Sequence, residues 1–293
     1  MLASSYVNMD GKEAPPPDPE GIPINATLKN RMFVVSATKA YKFINRDHGC
    51  TLALPFGLII KFARNAAVAE AHAMVYVGKH TSIPVPKVYC AFRQKKYTFI
   101  VMQRMKGDFI GYKWQQRTEE SKSRLLAHLK LMLDELRTLE PPPGTGVQNV
   151  LGGPLRDLRV IWPPETFGPF PTTEKFLKWL RFDWEVHEIH DKCTSKQAWE
   201  IWNNIAVIHR SRDWPLKFTH GDLNWSNIFV QGDRVTGIID WGTSGWYPSF
   251  WEYAHTVVET LGPHCYPEYA KQYLDPFPEE MVAEGDRACC LQH

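Results

Sequence analysis

The spacing of apolar and polar residues divides the chain in two. From about 39 to 63, the runs AYKFI and GLIIKFA flank the polar, glycine-containing connection NRDHGC, which predicts two antiparallel strands. Within GLIIKFA, Leu58, Ile60 and Phe62 fall on one face and Ile59, Lys61 and Ala63 on the other, so both faces read as buried and one of them holds a lysine. A helix follows: Asn65 suits its cap, Val68, Ala71 and Val75 recur at helical spacing, and Gly78 marks its stop. IPVPKVYCAF and YTFIVMQRM predict two more strands, joined by the charged turn Arg93, Gln94, Lys95, Lys96. The first hundred residues thus read as sheet plus one helix.

Beyond them helical spacing takes over. Thr118 caps a helix that opens with Glu119 and Glu120 and carries Leu125, Leu129, Met132, Leu133, Leu136 and Leu139 on one stripe. Residues 140–172 form a connection rich in Pro and Gly. Two Trp-bearing helices are expected near 173–190 and 195–209, capped by Thr173 and Ser195. The segment FTHGDLNWSNIFV, residues 218–230, then breaks the pattern, and NIFV and RVTGIID predict a hairpin turned by Gln231, Gly232 and Asp233. At the other end, Pro15, Pro16, Pro17, Pro19 and Pro23 lie among small and charged residues, so residues 1–30 read as a disordered or extended arm. There is no internal repeat.

His220, Asp222, Asn224 and Asn227 interrupt an apolar run, and buried polar groups without partners cost free energy. A strand, loop and hairpin would bring Asn227 and Asp240 to one point, where two oxygen ligands suit Mg2+, an ion that keeps water and takes few protein oxygens beside substrate phosphate. Asp222 is left over as a base. The buried-face Lys61 needs an anion: Glu70 of the following helix is the natural partner and a nucleotide phosphate the next. A phosphate-positioning lysine, its glutamate, a base and two metal ligands make up the parts for phosphoryl transfer, where positioning and charge neutralisation carry most of the catalysis. Each residue also has a structural reading. His220 braces the loop by hydrogen bonds, Asp222 caps a turn, Asn227 closes an Asx-turn, Asp240 ends a strand and Lys61 snorkels; jointly, the structural readings fit less well than the chemical one.

Composition narrows the class. With 293 residues, 44% hydrophobic and 13% aromatic, the chain can build a large core, and Trp114, Trp179, Trp184, Trp199 and Trp202 read as filling the helical half. A formal charge of +2 with dispersed Lys and Arg offers no tract for nucleic acid or anionic lipid. No apolar run reaches the roughly 20 residues of a bilayer span, and no secretory leader pattern opens the chain, so a cytoplasmic protein is expected. The six cysteines lack metal-ligand spacing and are expected reduced. Residues 290–293 match a prenylation signal poorly.

HGDLNWSN followed by GIIDWG resembles the aminoglycoside phosphotransferase and choline kinase-like family, and TSIPVPKVY and FTHGDL match phrases of its fungal members. The resemblance covers about residues 36–262. It implies a two-lobed α+β fold of the protein-kinase type, with an antiparallel N-terminal lobe (31–106) that binds nucleotide and a helical C-terminal lobe (107–293) with the catalytic loop and acceptor site. It further implies that Lys61 contacts the α and β phosphates of ATP or GTP and pairs with Glu70, that Gln103 to Met105 form a hinge meeting adenine, that Asp222 is the base and that Asn227 and Asp240 bind Mg2+. The chain departs from protein kinases in lacking a G-x-G-x-x-G clamp, so Asn45, Arg46 or other backbone amides must cover the triphosphate. Gly221 stands where those enzymes carry an arginine, and the short span from Asp240 to Glu252 leaves no room for an activation loop. The expected acceptor is therefore a small-molecule hydroxyl, or an amine. Acidic residues Asp275, Glu279, Glu280, Glu284 and Asp286 would attract a cationic acceptor or form a solvated face. The alternatives are a kinase-like scaffold that binds nucleotide or metabolite as a biosynthetic accessory, and transfer to water.

Overall fold

The computed structural model describes residues 6–7, 13–14, 21–44, 50–64, 67–157, 160, 166–193, 195–259 and 267–290. Asn45, Arg46, Asn65 and the last three residues, which carried the expectations on triphosphate cover, helix capping and prenylation, lie outside them.

Helix α1 (Leu28–Ile44) leads into a four-stranded antiparallel sheet of order β1-β2-β4-β3, made of β1 (Thr51–Leu54), β2 (Leu58–Arg64), β3 (Val88–Gln94) and β4 (Tyr97–Gln103), with α2 (Ala69–His80) between β2 and β3. One expectation fails here: AYKFI is the last turn of α1, and the partner of β2 is the TLAL run after the polar connection. The alternation in AYKFI was too short to separate a strand from a helix that places Val34 and Thr38 inward at helical spacing. Gly78 also lies inside α2, which continues to His80. The two faces of the sheet pack differently. Ile60, Phe62, Phe92, Phe99 and Val101 meet Val34 of α1, whereas Ala91, Ile100 and Met102 join α2 and the large core of the second lobe. Residues 21–27 run along the sheet edge, where Ile24 pairs with Ala91.

The chain leaves β4 at Gln103 and enters the second lobe through β5 (Asp108–Phe109), which pairs with β7 (Ile228–Gln231), itself paired with β8 (Arg234–Ile238). Gly107 is required on this path: its φ is +103°, and a Cβ there would lie 2.2 Å from the Val230 carbonyl oxygen. Helix α3 (Glu119–Arg137) starts where expected, with the Thr118 side chain accepting from the Ser121 N–H, and it buries Leu125, Leu129, Met132, Leu133 and Leu136. The predicted helix at 173–190 is instead α4 (Thr173–Trp179), capped by Thr172, followed by a break at Phe182 and Asp183, both at positive φ, and the short α5 (Ile189–Lys192). Helix α6 (Lys196–Arg210), capped by Ser195, is as expected. Strand β6 (Leu216–Thr219) pairs with β9 (Gly245–Pro248), and α7 (Trp251–Glu259), α8 (Pro267–Tyr273) and α9 (Pro278–Cys290) complete the lobe. Among the described residues no helix is long and apolar enough to cross a membrane.

Candidate active site between the lobes

Lys61 lies at the middle of β2, hydrogen-bonded through its backbone neighbours to both β1 and β4, so its side chain leaves a rigid platform. Its Nζ donates to Glu70 Oε1 at 2.8 Å and to Asp240 Oδ1 at 2.7 Å. Glu70 stands in the first turn of α2 and Asp240 follows β8, so one ammonium ties the sheet, the helix and the hairpin of the other lobe together. The two carboxylates differ in exposure. Glu70 is 4% exposed and Asp240 is 46% exposed, which makes Asp240 the member that faces the open cleft. Burial alone would make the Lys61 ammonium lose its proton more easily, but Glu70 and Asp240 outweigh it and hold its pKa above the ordinary lysine range. Burial pushes the Glu70 carboxyl up, and Lys61 offsets only part of this. For Asp240 burial acts the same way, yet the Lys61 ammonium outweighs it and the pKa falls below the usual range. Deeper burial and the neighbouring Asp240 charge explain why the two partners of one lysine move in opposite directions.

The loop after β6 holds the other candidates. Asp222 Oδ2 accepts from Asn227 Nδ2 at 2.9 Å, and the same Nδ2 donates to the Asp222 backbone carbonyl at 2.8 Å. Both partners are acceptors, so the nitrogen of the Asn227 amide must face them and its Oδ1 points elsewhere. The two groups of candidates are joined through the backbone. The Ile239 N–H donates to the Asn227 carbonyl at 2.9 Å, one residue before Asp240. His220 makes the same link: its Nε2–H donates to the Ile239 carbonyl at 2.9 Å while its Nδ1 accepts from the Asp222 N–H at 3.2 Å. His220 is fully buried and packs against Trp241 with ring centroids 4.5 Å apart and planes tilted by 59°, a bracing geometry. Asp240 itself has φ +63°, so the turn after β8 is held in the left-handed region, and this aims its carboxylate at Lys61.

Sequence reasoning missed the anchor of this loop. Glu252 in α7 is buried, and its carboxylate accepts from the backbone N–H of His220 at 2.6 Å and of Gly221 at 3.1 Å. Gly221 has φ +80°, and a Cβ on it would come within 2.7 Å of the Thr243 carbonyl oxygen, so a larger residue would unseat the loop. An acid inside the apolar run YPSFWEYAH was the available signal. Gln103 and Met105 stand apart from the ion cluster, on the connection between the lobes. The Arg104 N–H between them donates to the Gly57 carbonyl at 2.8 Å, and the Met105 side chain packs against Gly237. The acidic segment is not a uniformly solvated face: Glu280 and Glu284 are buried and paired with Arg212 and Arg287.

Asn227 keeps a free Oδ1, and Asp240 keeps Oδ2 beside the cleft. Two oxygens of this kind fit an ion that completes its shell with water and phosphate, so the residues present fit Mg2+.

The model of the phosphotransferase enzyme family, APH, matches residues 21–284. No curated protein matches the chain. Among solved structures, aminoglycoside phosphotransferase APH(4)-Ia aligns with a TM-score of 0.56 at 15% identity, over 88% of each chain. The streptomycin-ATP-APH(2'')-IIa ternary complex aligns with a TM-score of 0.55 at 16% identity, over 89% of this chain and 86% of that one. A ternary complex of an APH(4)-Ia mutant with AMP-PNP and hygromycin B gives 0.51 at 14% identity, over 87% and 98%. At such identities these likenesses establish the fold, the two-lobed α+β arrangement of the protein-kinase type. With the family model spanning both lobes, the chain belongs to the phosphotransferase enzyme family.

Proposed function

We propose that the protein transfers the γ-phosphoryl group of ATP, or GTP, to a hydroxyl of a small molecule, with an amine as the second choice of acceptor. The single observation that carries this reading is the meeting of Lys61, Glu70 and Asp240 across the cleft, one residue from the point where Ile239 joins Asn227 and, through it, Asp222. The nucleotide complexes of two structural relatives support the choice of donor.

In this reading, the Lys61 ammonium neutralises the α and β phosphates and Glu70 fixes its direction. Gln103 to Met105 present backbone groups to the base. Asp222 accepts the proton of the acceptor hydroxyl as its oxygen attacks the γ-phosphorus, while the β–γ bridging oxygen leaves with the electron pair of the broken bond. Asn227 and Asp240 are the residues that would hold Mg2+, which when bound would supply charge neutralisation on the phosphates. His220 and Glu252 keep the base-bearing loop in register with β8. Small-molecule transfer is favoured over protein phosphorylation because Asp240 and α7 are separated only by a short 3-10 turn, β9 and Ser249–Phe250, with no regulatory loop between them.

The test combines MgATP or MgGTP with fractionated small-molecule extracts and looks for the mass gain of one phosphoryl group. Asp222→Ala is expected to lower kcat for the acceptor found by about 10²- to 10⁴-fold while nucleotide affinity in calorimetry stays unchanged. A variant with full kcat would refute the base assignment, and failure of the wild type to bind MgATP or MgGTP would favour the accessory scaffold.

A further inference from the structure

Asn224 lies in the same loop and has no role in the scheme above, yet it contacts the proposed base. Its Nδ2 donates to Asp222 Oδ1 at 2.8 Å, so the two oxygens of Asp222 are each held by a different asparagine: Oδ1 by Asn224 and Oδ2 by Asn227. The Asn224 amide cannot turn over. Its Oδ1 accepts from the Ser226 N–H at 2.9 Å and from the Ser226 hydroxyl, and a backbone N–H can only donate. The backbone agrees, since the Asn224 N–H donates to the Asp222 carbonyl at 2.9 Å and its own carbonyl accepts from the Asn227 N–H at 3.0 Å. Ser226 therefore locks Asn224, and Asn224 fixes the plane of the Asp222 carboxylate.

A carboxylate held at one oxygen still turns about its Cβ–Cγ bond, because that torsion has broad wells. Held at both, it presents its remaining lone pairs in one direction. Asn227 cannot do this alone, for its Nδ2 is already shared between the Asp222 carbonyl and Oδ2. Trp225, buried between the two asparagines against Trp114 at 4.7 Å, keeps the intervening turn from relaxing.

We infer that Asn224 is a positioning residue: its side-chain N–H aims the Asp222 carboxylate at the acceptor, and Ser226 holds Asn224 in place. This rests on the reading of Asp222 as base. The discriminating pair is Asn224→Asp and Asn224→Ala. Aspartate keeps the shape and the acceptor for Ser226 but puts an oxygen where the donor was, whereas alanine removes all three side-chain hydrogen bonds. Steady-state ADP release from MgATP with the identified acceptor, or with water as acceptor, is measured for both, with Asp222→Ala alongside. Both variants are expected to lose about 10- to 100-fold in kcat, the kinetic equivalent of one hydrogen bond to a charged group. KM for MgATP should be unchanged, and N224D should be no more active than N224A although its loop is still pinned. A crystal structure of N224D is expected to show the Asp222 carboxylate rotated, with the backbone of 220–227 in place. Wild-type kcat in N224D, or an unrotated Asp222 carboxylate, overturns the positioning role. Loss of activity in N224A with full recovery in N224D also overturns it and makes Asn224 a loop brace. If D222A itself leaves kcat unchanged, the base assignment fails instead, and the unrotated or rotated carboxylate in N224D still decides the orientation claim.

Discussion

Among the described residues, two clusters of buried charge contrast in how they are built. Between the lobes, Lys61 bridges Glu70 and Asp240, and one of those carboxylates opens to the cleft. Beneath α9, Glu284 is 1% exposed and sealed: its Oε1 accepts from His209 Nε2–H at 2.9 Å and its Oε2 from Arg287 Nε at 2.7 Å, while Arg181 donates to His209 Nδ1 at 2.9 Å. Burial would push the Glu284 carboxyl up, but Arg287 and His209 outweigh it and hold it well below the usual range; Glu70, buried as deeply, is pushed up. The sealed cluster joins α6 and α9 and leaves its carboxylate no free face. The open one leaves the Asp240 carboxylate about half exposed. Burial and perturbed acidity are common to both clusters; what separates the candidate reaction centre from the strut is this exposure, 46% for Asp240 against 1% for Glu284.

Substitution can break this contrast. Lys61→Met is expected to lower phosphoryl transfer by about 10²- to 10³-fold, the cost of removing one preorganised electrostatic group, with a smaller change in Tm than any Glu284 variant. Glu284→Ala should do the reverse. Removing one partner of a buried pair costs about 3–5 kcal/mol, read in urea unfolding, while kcat of the folded fraction stays close to wild type. Equal losses of stability in both variants would erase the distinction.

Acid sharpens it. The lowered pKa of Glu284 contributes stability that is present above its unfolded value of 4.5 and lost as pH falls through the lower folded value. Burial lowers the His209 pKa from 6.5, so its neutral ring contributes stability that is present above 6.5 and lost as pH falls below it. The unfolding free energy should therefore begin to drop below pH 6.5 and drop further below 4.5. The gap between wild type and Glu284→Gln should close across the lower window; a gap constant from pH 7 to pH 3 would contradict the assignment. The smallest effect is expected at a site in neither cluster. Thr118→Ala removes the α3 cap and should cost about 1 kcal/mol with kcat unchanged, a baseline for structural damage alone.

The sequence made the proposed reaction centre easier to read than the strut. Lys61, Asp222, Asn227 and Asp240 interrupt apolar runs where a polar group needs a reason, so their types and order are informative by themselves. Glu284 lies among acids at the end of the chain and reads as solvated, because its partners His209 and Arg181 are distant in sequence and only folding places them beside it. Glu252 was obscured for the same reason, since what it holds are backbone N–H groups, which leave no trace in side-chain pattern. Among the elements, α3 and α6 were legible because caps and apolar stripes agreed. The last turn of α1 was not, because AYKFI supports either period and the sheet that selects the helix lies beyond it in sequence.

The connection at Gly107 also marks where the chain passes from one lobe to the other. Residues 105–107 are stapled to the second lobe, with Met105 against Gly237, the Lys106 carbonyl accepting a hydrogen bond from the Thr236 hydroxyl at 2.6 Å and Gly107 seated on Val230, whereas Arg104 is tied to Gly57 of the first. The boundary between the halves thus falls on the single peptide linking Arg104 to Met105. That peptide is not the sole tie, since α2 and one face of the sheet share the core of the second lobe and the Ile238 N–H donates to the Pro84 carbonyl at 2.9 Å, so the Lys61–Asp240 contact is braced by packing on both sides of the chain crossing.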